Sequence, residues 1–259
     1  MQFRRIQHDL VDSTSERAFA ALALGSARHG DVHVARGQSA GRGRLGRRWH
    51  SADGKGLYLS MVLLPEPPPW NPAALTMAGG LATLDALRAI ATSEGAAGLR
   101  ALRELRIDWP NDVVALGAKL AGVLVETRGL DPAAPHYVLG LGLNVLQSSF
   151  PAELEAERAV TSCALLGLDV RVEVVEETLL GCLGQRLDQV DERSRTLSED
   201  FLAAIHLEGR MVRAQFCERE TTGELVELSF ERGIALVTDK GTLVRAPLEF
   251  VRGLTEIMA

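Results

Sequence analysis

The residue types best equipped for chemistry are gathered in Gly41-Arg42-Gly43-Arg44-Leu45-Gly46-Arg47-Arg48-Trp49. The eight residues from Gly41 hold four arginines and three glycines, and an indole follows, in a 259-residue chain of formal net charge −6. Guanidinium forks match phosphate and carboxylate oxygens, glycines let backbone N–H groups approach an anion, and a Trp face can stack on a flat base. One short segment thus offers what a nucleotide needs. Charge alone would equally suit a solvated basic loop. Gly41, Gly43 and Gly46 also spell G-x-G-x-x-G. A dinucleotide fingerprint requires a helix opening at its end and an acidic residue about 20 positions later. The stretch from Arg47 to Gly56 reads as loop, so that reading is rejected.

Three further segments carry polar chemistry. Trp109-Pro110-Asn111-Asp112 makes a polar corner at the edge of an apolar sheet, or an ordinary turn in which Asn and Asp bond their own backbone. Lys119 opens the apolar strand Leu120 to Glu126 and could hold a phosphate or carboxylate at the mouth of the core, or snorkel from the strand end. Gly140-Leu141-Gly142-Leu143-Asn144 marks a bulge, a close approach by another segment, or a floor on which a ligand lies. Ser13 and Thr14 read as helix caps first and ligand hydroxyls second.

These groups need a scaffold. Ser13 with Glu16 fits a capping box, and Phe19, Leu22, Ala23 and Ala27 line one face of the helix that follows. Val32 to Ala35 is a short strand, and Leu57 to Leu64 a buried one closed by Pro65-Glu66-Pro67-Pro68-Pro69. Asn71 and Pro72 start a long buried helix from Ala73 to about Ser93 that ends at Gly95. Leu105 to Trp109 and Val113 to Leu116 are short strands about the Asn-Asp turn. Lys119 to Thr127 and His136 to Val145 read as antiparallel neighbours. Helical patterns cover 172 to 191 and 197 to 207. From Arg210 the texture turns to short strands at 210 to 216, 224 to 229, 233 to 238 and 242 to 246, a small all-β module. Two domains are expected, 1–207 and 208–259.

Composition narrows the class. Apolar residues make up 46% of the chain, ample for a core. Apolar runs such as Leu57 to Leu64 are too short to cross a bilayer, and the N-terminus lacks a secretory h-region, so a cytoplasmic, membrane-free protein is expected. Cys163, Cys182 and Cys217 are odd in number and widely spaced, which suits reduced thiols. Six scattered histidines give no metal-ligand spacing, and no protein-held metal is expected. The acidic balance argues against DNA or RNA as the main partner.

Taken in order, Asp12-Ser13-Thr14, Gln38, the G-R-G-R-x-G-R-x-W loop, W-P-N-D, K-L-A-G and G-x-G-x-N resemble the biotin protein ligases over almost the whole chain. The resemblance is to the short, monofunctional form without an N-terminal DNA-binding domain. It implies an α+β fold, a mixed sheet with helices like that of class II aminoacyl-tRNA synthetases and biotin ligases, plus a small C-terminal SH3-like β-barrel. It implies ATP and Mg²⁺ as co-substrate and ion, with the metal held mainly by the phosphates, and biotin as substrate. By similarity Ser13, Thr14, Gln38 and the backbone at Arg42 bind the ureido ring, and Gly41, Gly122 and Leu124 line the tail. Arg44 and Lys119 hold carboxylate and α-phosphate, Asp112 lies by the phosphates and the incoming lysine, and Arg47, Trp49, Asn111 and Asn144 serve the nucleotide.

The implied partner is a biotin carboxyl carrier domain, that of acetyl-CoA carboxylase by default, and the apolar strand at 136 to 145 could pair two copies as a homodimer. One departure stands out: the family usually has a lysine before W-P-N-D, and this chain has Asp108. Arg106, two positions back on the same strand face, could compensate locally. Two other readings remain, a lipoate or octanoate ligase or transferase of the same fold and a catalytically impaired biotin-binding module.

Overall fold

The computed structural model describes residues 2–66, 70–93, 95, 98, 100, 104–128, 135–216 and 219–257. Seven strands form the main sheet: β1 (Arg4–Val11), β2 (Asp31–Gln38), β3 (Gly56–Leu63), β4 (Arg106–Asp108), β5 (Asp112–Ala115), β6 (Ala118–Glu126) and β7 (Tyr137–Asn144). Their spatial order is β1-β2-β3-β7-β6-β5-β4. Only β1 and β2 run parallel; the other neighbours are antiparallel, including the expected β6–β7 pair.

The central strands β3 and β7 are buried at every residue, because both faces of the sheet are covered. Period-2 alternation sorts their side chains. Leu57, Leu59, Met61 and Leu63 of β3, with Tyr137, Leu139, Leu141 and Leu143 of β7, join the main apolar core with α2 (Pro72–Ser93). The opposite face presents Ser60, Gly140 and Gly142, and beside them Val62 and Val138 pack on Ala18 and Phe19 of α1 (Thr14–Ala23). Small residues on that second face leave room above the sheet. By length and composition α2 could cross a membrane, yet 72% of its most apolar window is buried inside the protein, the condition of a core helix.

The start of α2 follows the sequence: Asn71 Oδ1 accepts from the Ala73 N–H at 2.8 Å, and Gly95 adopts φ +76° beyond the last turn. The expected capping box on α1 is corrected. Ser13 occupies the cap position without any side-chain cap bond, and the reciprocal half of the box is missing too: the Ser13 N–H donates to Asp12 Oδ1 at 2.6 Å, while the Glu16 carboxylate is taken by Arg128 (Nη1–Oε2 2.7 Å) and Arg42. Three elements were not anticipated: β1, the short α3 (Ala152–Glu157) and the last strand β12 (Val251–Glu256). Strand β2 is longer than Val32 to Ala35 and runs to Gln38.

Helices α4 (Val172–Asp191) and α5 (Arg195–Ile205) pack beside α2. The C-terminal region is a five-stranded antiparallel sheet of β8 (Met211–Phe216), β9 (Arg219–Ser229), β10 (Gly233–Val237), β11 (Leu243–Ala246) and β12, in the order β11-β10-β9-β8-β12. Its Val212, Leu225, Ile234 and Val251 belong to the same buried cluster as the main sheet. Trp109 Nε1 donates to the Val251 carbonyl at 3.1 Å and Asn71 Nδ2 to that of Phe230 at 2.9 Å. This docking carries Arg252 to the edge of the open face.

A bulge completes the positioning. Val113 pairs with Ala121 and Val114 with Lys119, so Leu120 is an extra residue in β6. The added residue shifts the alternation by one and places Lys119 on the same face as Gly122. Asp112, directly opposite Gly122, is on that face too.

Candidate active site

Above the small-residue face lies a cavity of about 890 Å³, walled by the start of α1, the basic loop, β6, β7, α3 and Arg252. One end is uncharged. Gln38 Oε1 accepts from the Thr14 backbone N–H (2.8 Å) and hydroxyl (3.2 Å), while its Nε2 donates to Ser51 Oγ at 2.8 Å. Ser60 Oγ lies 2.8 Å from Thr14 Oγ1 and 3.0 Å from Ser15 Oγ. Ser13 is 1% exposed and its hydroxyl has no partner among the described residues. A buried orphan hydroxyl is costly unless something supplies its bond. That makes this end a ready seat for a small polar head group.

The other end is charged. Arg44 Nη1 donates to Asn111 Oδ1 at 3.0 Å, and Asn111 Nδ2 is anchored on the Val123 carbonyl at 2.8 Å. Asp112 lies between two cations, with Lys119 Nζ 2.7 Å from Oδ1 and Arg158 Nη1 2.8 Å from Oδ2. Burial pushes the Lys119 ammonium below the usual lysine range, with Asp112 acting against it. Burial likewise lowers the half-buried Arg44 guanidinium, again opposed by Asp112. Desolvation weakens the hold of each cation on its proton, and an anion arriving between them relieves that cost.

The basic loop closes over this end. It folds as a hairpin: Arg42 bridges Arg48, Gly43 N donates to the Arg47 carbonyl at 2.8 Å, and Trp49 N donates to that of Gly41 at 2.9 Å. A single turn at Arg44–Gly46 forms its tip, where Leu45 and Gly46 have φ of 57° and 74°. Arg42 is tied to Glu16 and to Glu126 (2.6 Å), and Trp49 lies on the sheet with Lys119 Nζ 5.2 Å from its ring centroid. Any Cβ on Gly142 would overlap that indole. Gly142 of β7 and Gly122 of β6 therefore make a floor, occupied here by the protein's own aromatic ring.

Of the residues singled out from sequence, Ser13, Thr14, Gln38, Arg42, Arg44, Arg47, Trp49, Asn111, Asp112, Lys119, Gly122, Leu124 and Asn144 all line the cavity. Gly41 does not line it; it is buried against the Trp49 carbonyl, Ser51 and Gln38. The Asn144 amide is already engaged, donating to the Thr161 carbonyl at 2.9 Å and accepting from Gln147 at 3.3 Å. Asp108 pairs with Arg106 at 2.9 Å, as alternation suggested, and neither lines the cavity. Sequence reasoning missed Ser15, Ser51, Ser60, Arg158 and Arg252. Ser60 alternates with the apolar residues of β3, a legible signal, whereas nothing local marks Arg158. Among the described residues no group of three His, Cys, Asp or Glu is placed to hold a metal ion.

Fold and cavity define a class, an α+β protein whose nucleotide-sized, cation-rich pocket lies beneath a glycine-hinged loop. The chain belongs to the biotin/lipoate A/B protein ligase family, whose profile matches residues 8–144. It is 35% identical over 207 residues to a biotin--[acetyl-CoA-carboxylase] ligase of Mycobacterium tuberculosis, covering 78% of this chain and 71% of that protein. The bifunctional ligase/repressor BirA of Bacillus subtilis is 34% identical over 183 residues, 70% of this chain and 53% of that protein. The chain spans about half the length of the curated relatives it matches first. Among solved structures, the biotin protein ligase from Aquifex aeolicus in complex with biotin and ATP superposes with a TM-score of 0.77 at 29% identity, covering 98% of this chain and 99% of that one.

Proposed function

We propose that the protein attaches biotin to a lysine of a biotin carboxyl carrier domain in two steps, adenylation of biotin by ATP and transfer of the biotinyl group to the lysine. The observation that carries this reading is the convergence of Arg44 and Lys119 on one cavity whose far end is the uncharged cluster of Ser13, Thr14 and Gln38. In the first step the biotin carboxylate attacks the α-phosphorus of ATP. A C–O–P bond forms, the bond to the β-phosphate oxygen breaks, and pyrophosphate leaves with the electron pair, giving biotinyl-5′-AMP. Two anions must meet, so fixed cations held in a desolvated site supply most of the stabilisation. Arg44 and Lys119 flank the reacting carboxylate and α-phosphate. Magnesium travels with the triphosphate, held mainly by phosphate oxygens and water.

In the second step the acceptor amine attacks the acyl carbon and AMP departs. A free lysine has a pKa of about 10.4 and is mostly protonated at neutral pH; Asp112 faces the site as the carboxylate that orients the amine and accepts its proton. The ureido ring occupies the polar end, with Ser13 donating its unused hydroxyl, Thr14 and Gln38 beside it, and the Arg42 backbone above. Gly122 and Leu124 border the tail, while Arg47, Trp49, Asn111 and Asn144 surround the nucleotide. Gly41 acts as a close-packed hinge. Residues 1–207 carry this chemistry and 208–259 close one wall of the site; the protein works in the cytoplasm, free of DNA.

The deciding assay is pyrophosphate exchange into ATP with biotin or lipoate as the acid. Biotin-dependent exchange is expected. Exchange driven by lipoate alone would move the chain to the other branch of its family, and tight biotin binding without exchange would make it a binding module.

A further inference from the structure

We propose that Arg158 is a third cationic arm of the adenylation site, one that rests on Asp112 and transfers to the pyrophosphate end of the triphosphate when the nucleotide binds. The inference rests on the adenylation reading above and names a residue for its leaving group. Arg158 follows directly on α3, and the chain beyond it is fastened to the start of β6: Lys119 N donates to the Ala159 carbonyl and Thr161 N to the Lys119 carbonyl, each at 2.9 Å. The main chain that carries Arg158 is therefore held beside that of Lys119, while the side chain stays free to swing.

The charge arrangement is unusual for a merely structural pair. A single carboxylate, Asp112, is shared by two cations at 2.7 and 2.8 Å, so the cluster carries a surplus positive charge inside a cavity. Among the described residues only the Nη1 atom of Arg158 has a hydrogen bond, and its buried Nε has no partner there. A guanidinium with unused donors, anchored at its backbone and 32% exposed along its side chain, is able to rotate toward a stronger anion. Its planar fork fits two oxygens of a phosphate bidentately. Arg252 from the C-terminal region and Glu153 and Glu157 of α3 line the same cavity.

The leaving group gives this motion a purpose. As the α-phosphorus bond breaks, the departing pyrophosphate gains negative charge, and a cation realised on that oxygen contributes in the transition state rather than only in the ground state. Arg158 takes that position while Lys119 stays at the α-phosphate. Once pyrophosphate has left, Arg158 returns to Asp112.

Calorimetric titration of the full chain with magnesium pyrophosphate tests this directly. Arg158→Gln is expected to weaken binding about tenfold, Arg158→Lys to recover part of the loss, and Asp112→Asn to tighten binding severalfold by removing the competing carboxylate. Opposite signs for the two sites distinguish a transferable arm from a buttress. The inference is overturned if wild type does not bind pyrophosphate, if Arg158→Gln binds it as wild type does, or if Asp112→Asn weakens binding as much as Arg158→Gln. Should Arg158→Gln fail to fold, Arg158→Lys and Asp112→Asn carry the same contrast. Pyrophosphate binding with these signs but no exchange with either biotin or lipoate would overturn the adenylation reading and leave Arg158 as a pyrophosphate-binding arm.

Discussion

At the scale of single residues, the roles of Arg44 and Lys119 make separable predictions. Arg44 is held by Asn111 and lies in a hinged loop, so Arg44→Ala should lower the adenylation rate about a hundredfold with an unchanged melting temperature. Pre-steady-state measurement of pyrophosphate release reads this. Lys119→Met should slow the same half-reaction while leaving transfer from added biotinyl-5′-AMP much less affected, which a single-turnover assay resolves. Gly142→Ala puts a methyl where the Trp49 indole lies. The ring must then lift from the sheet, seen as a red-shifted tryptophan emission together with weaker nucleotide binding.

Most of these residues were legible in the sequence because chemistry restricted their type. A cluster of arginines among glycines, or a lysine opening an apolar strand, is uncommon without an anion to bind. Ser13 and Glu16 show the opposite case. Their spacing fits a capping box, but Arg128, distant in sequence, competes successfully for the carboxylate, and no local pattern foretells that. Arg158 was illegible for the same reason, since its partner Asp112 is 46 residues away.

At the scale of elements, the basic loop is a hairpin latched through Arg42 onto Glu16 of α1 and Glu126 of β6. Ligands beneath it add contacts that only the closed form makes, so they should shift the loop toward closure. Limited proteolysis is expected to cut between Gly41 and Gly54, with biotin plus ATP slowing the cut at least about tenfold; equal rates with and without ligands would remove the lid. Arg42→Ala should raise the ligand-free cutting rate. The buried strands β3 and β7 were plain from sequence as unbroken apolar or glycine-bearing runs. Edge strands β1 and β12 were not, because water on their exposed sides permits arginine, glutamine and aspartate in the first and arginine and glutamate in the second and erases the hydrophobic signal. The Leu120 bulge, which decides the face of Lys119, leaves no mark in composition.

At the scale of the whole molecule, stability is linked to pH through the stacked pair His8 and His33, whose ring centroids are 5.3 Å apart. Burial, with His8 nearby, holds His33 down to about 4, below its ordinary value of 6.5. A depressed histidine is neutral in the folded chain and takes a proton first in the unfolded one. Stability is therefore full above about pH 6.5 and is lost as pH falls toward about 4, on the order of 2–3 kcal/mol over that window. Urea midpoints at about pH 7 and about pH 4.5 should differ accordingly, and His33→Asn should flatten the difference. Glu16, held down to about 2 chiefly by its bond to Arg128, adds a loss of the same sign at more acidic pH. The C-terminal sheet shares the core of the main sheet and sends Arg252 to the cavity, an arrangement its short strands alone did not disclose.

On the proposed function, these converging cations join an acid to a nucleotide for delivery to a protein. The direct measurement is mass spectrometry of a purified biotin carboxyl carrier domain incubated with the protein, biotin and magnesium ATP. One biotin per carrier domain is expected, dependent on ATP and abolished on the same time scale by Lys119→Met. A carrier left unmodified under those conditions, or one modified equally well without ATP, would contradict it.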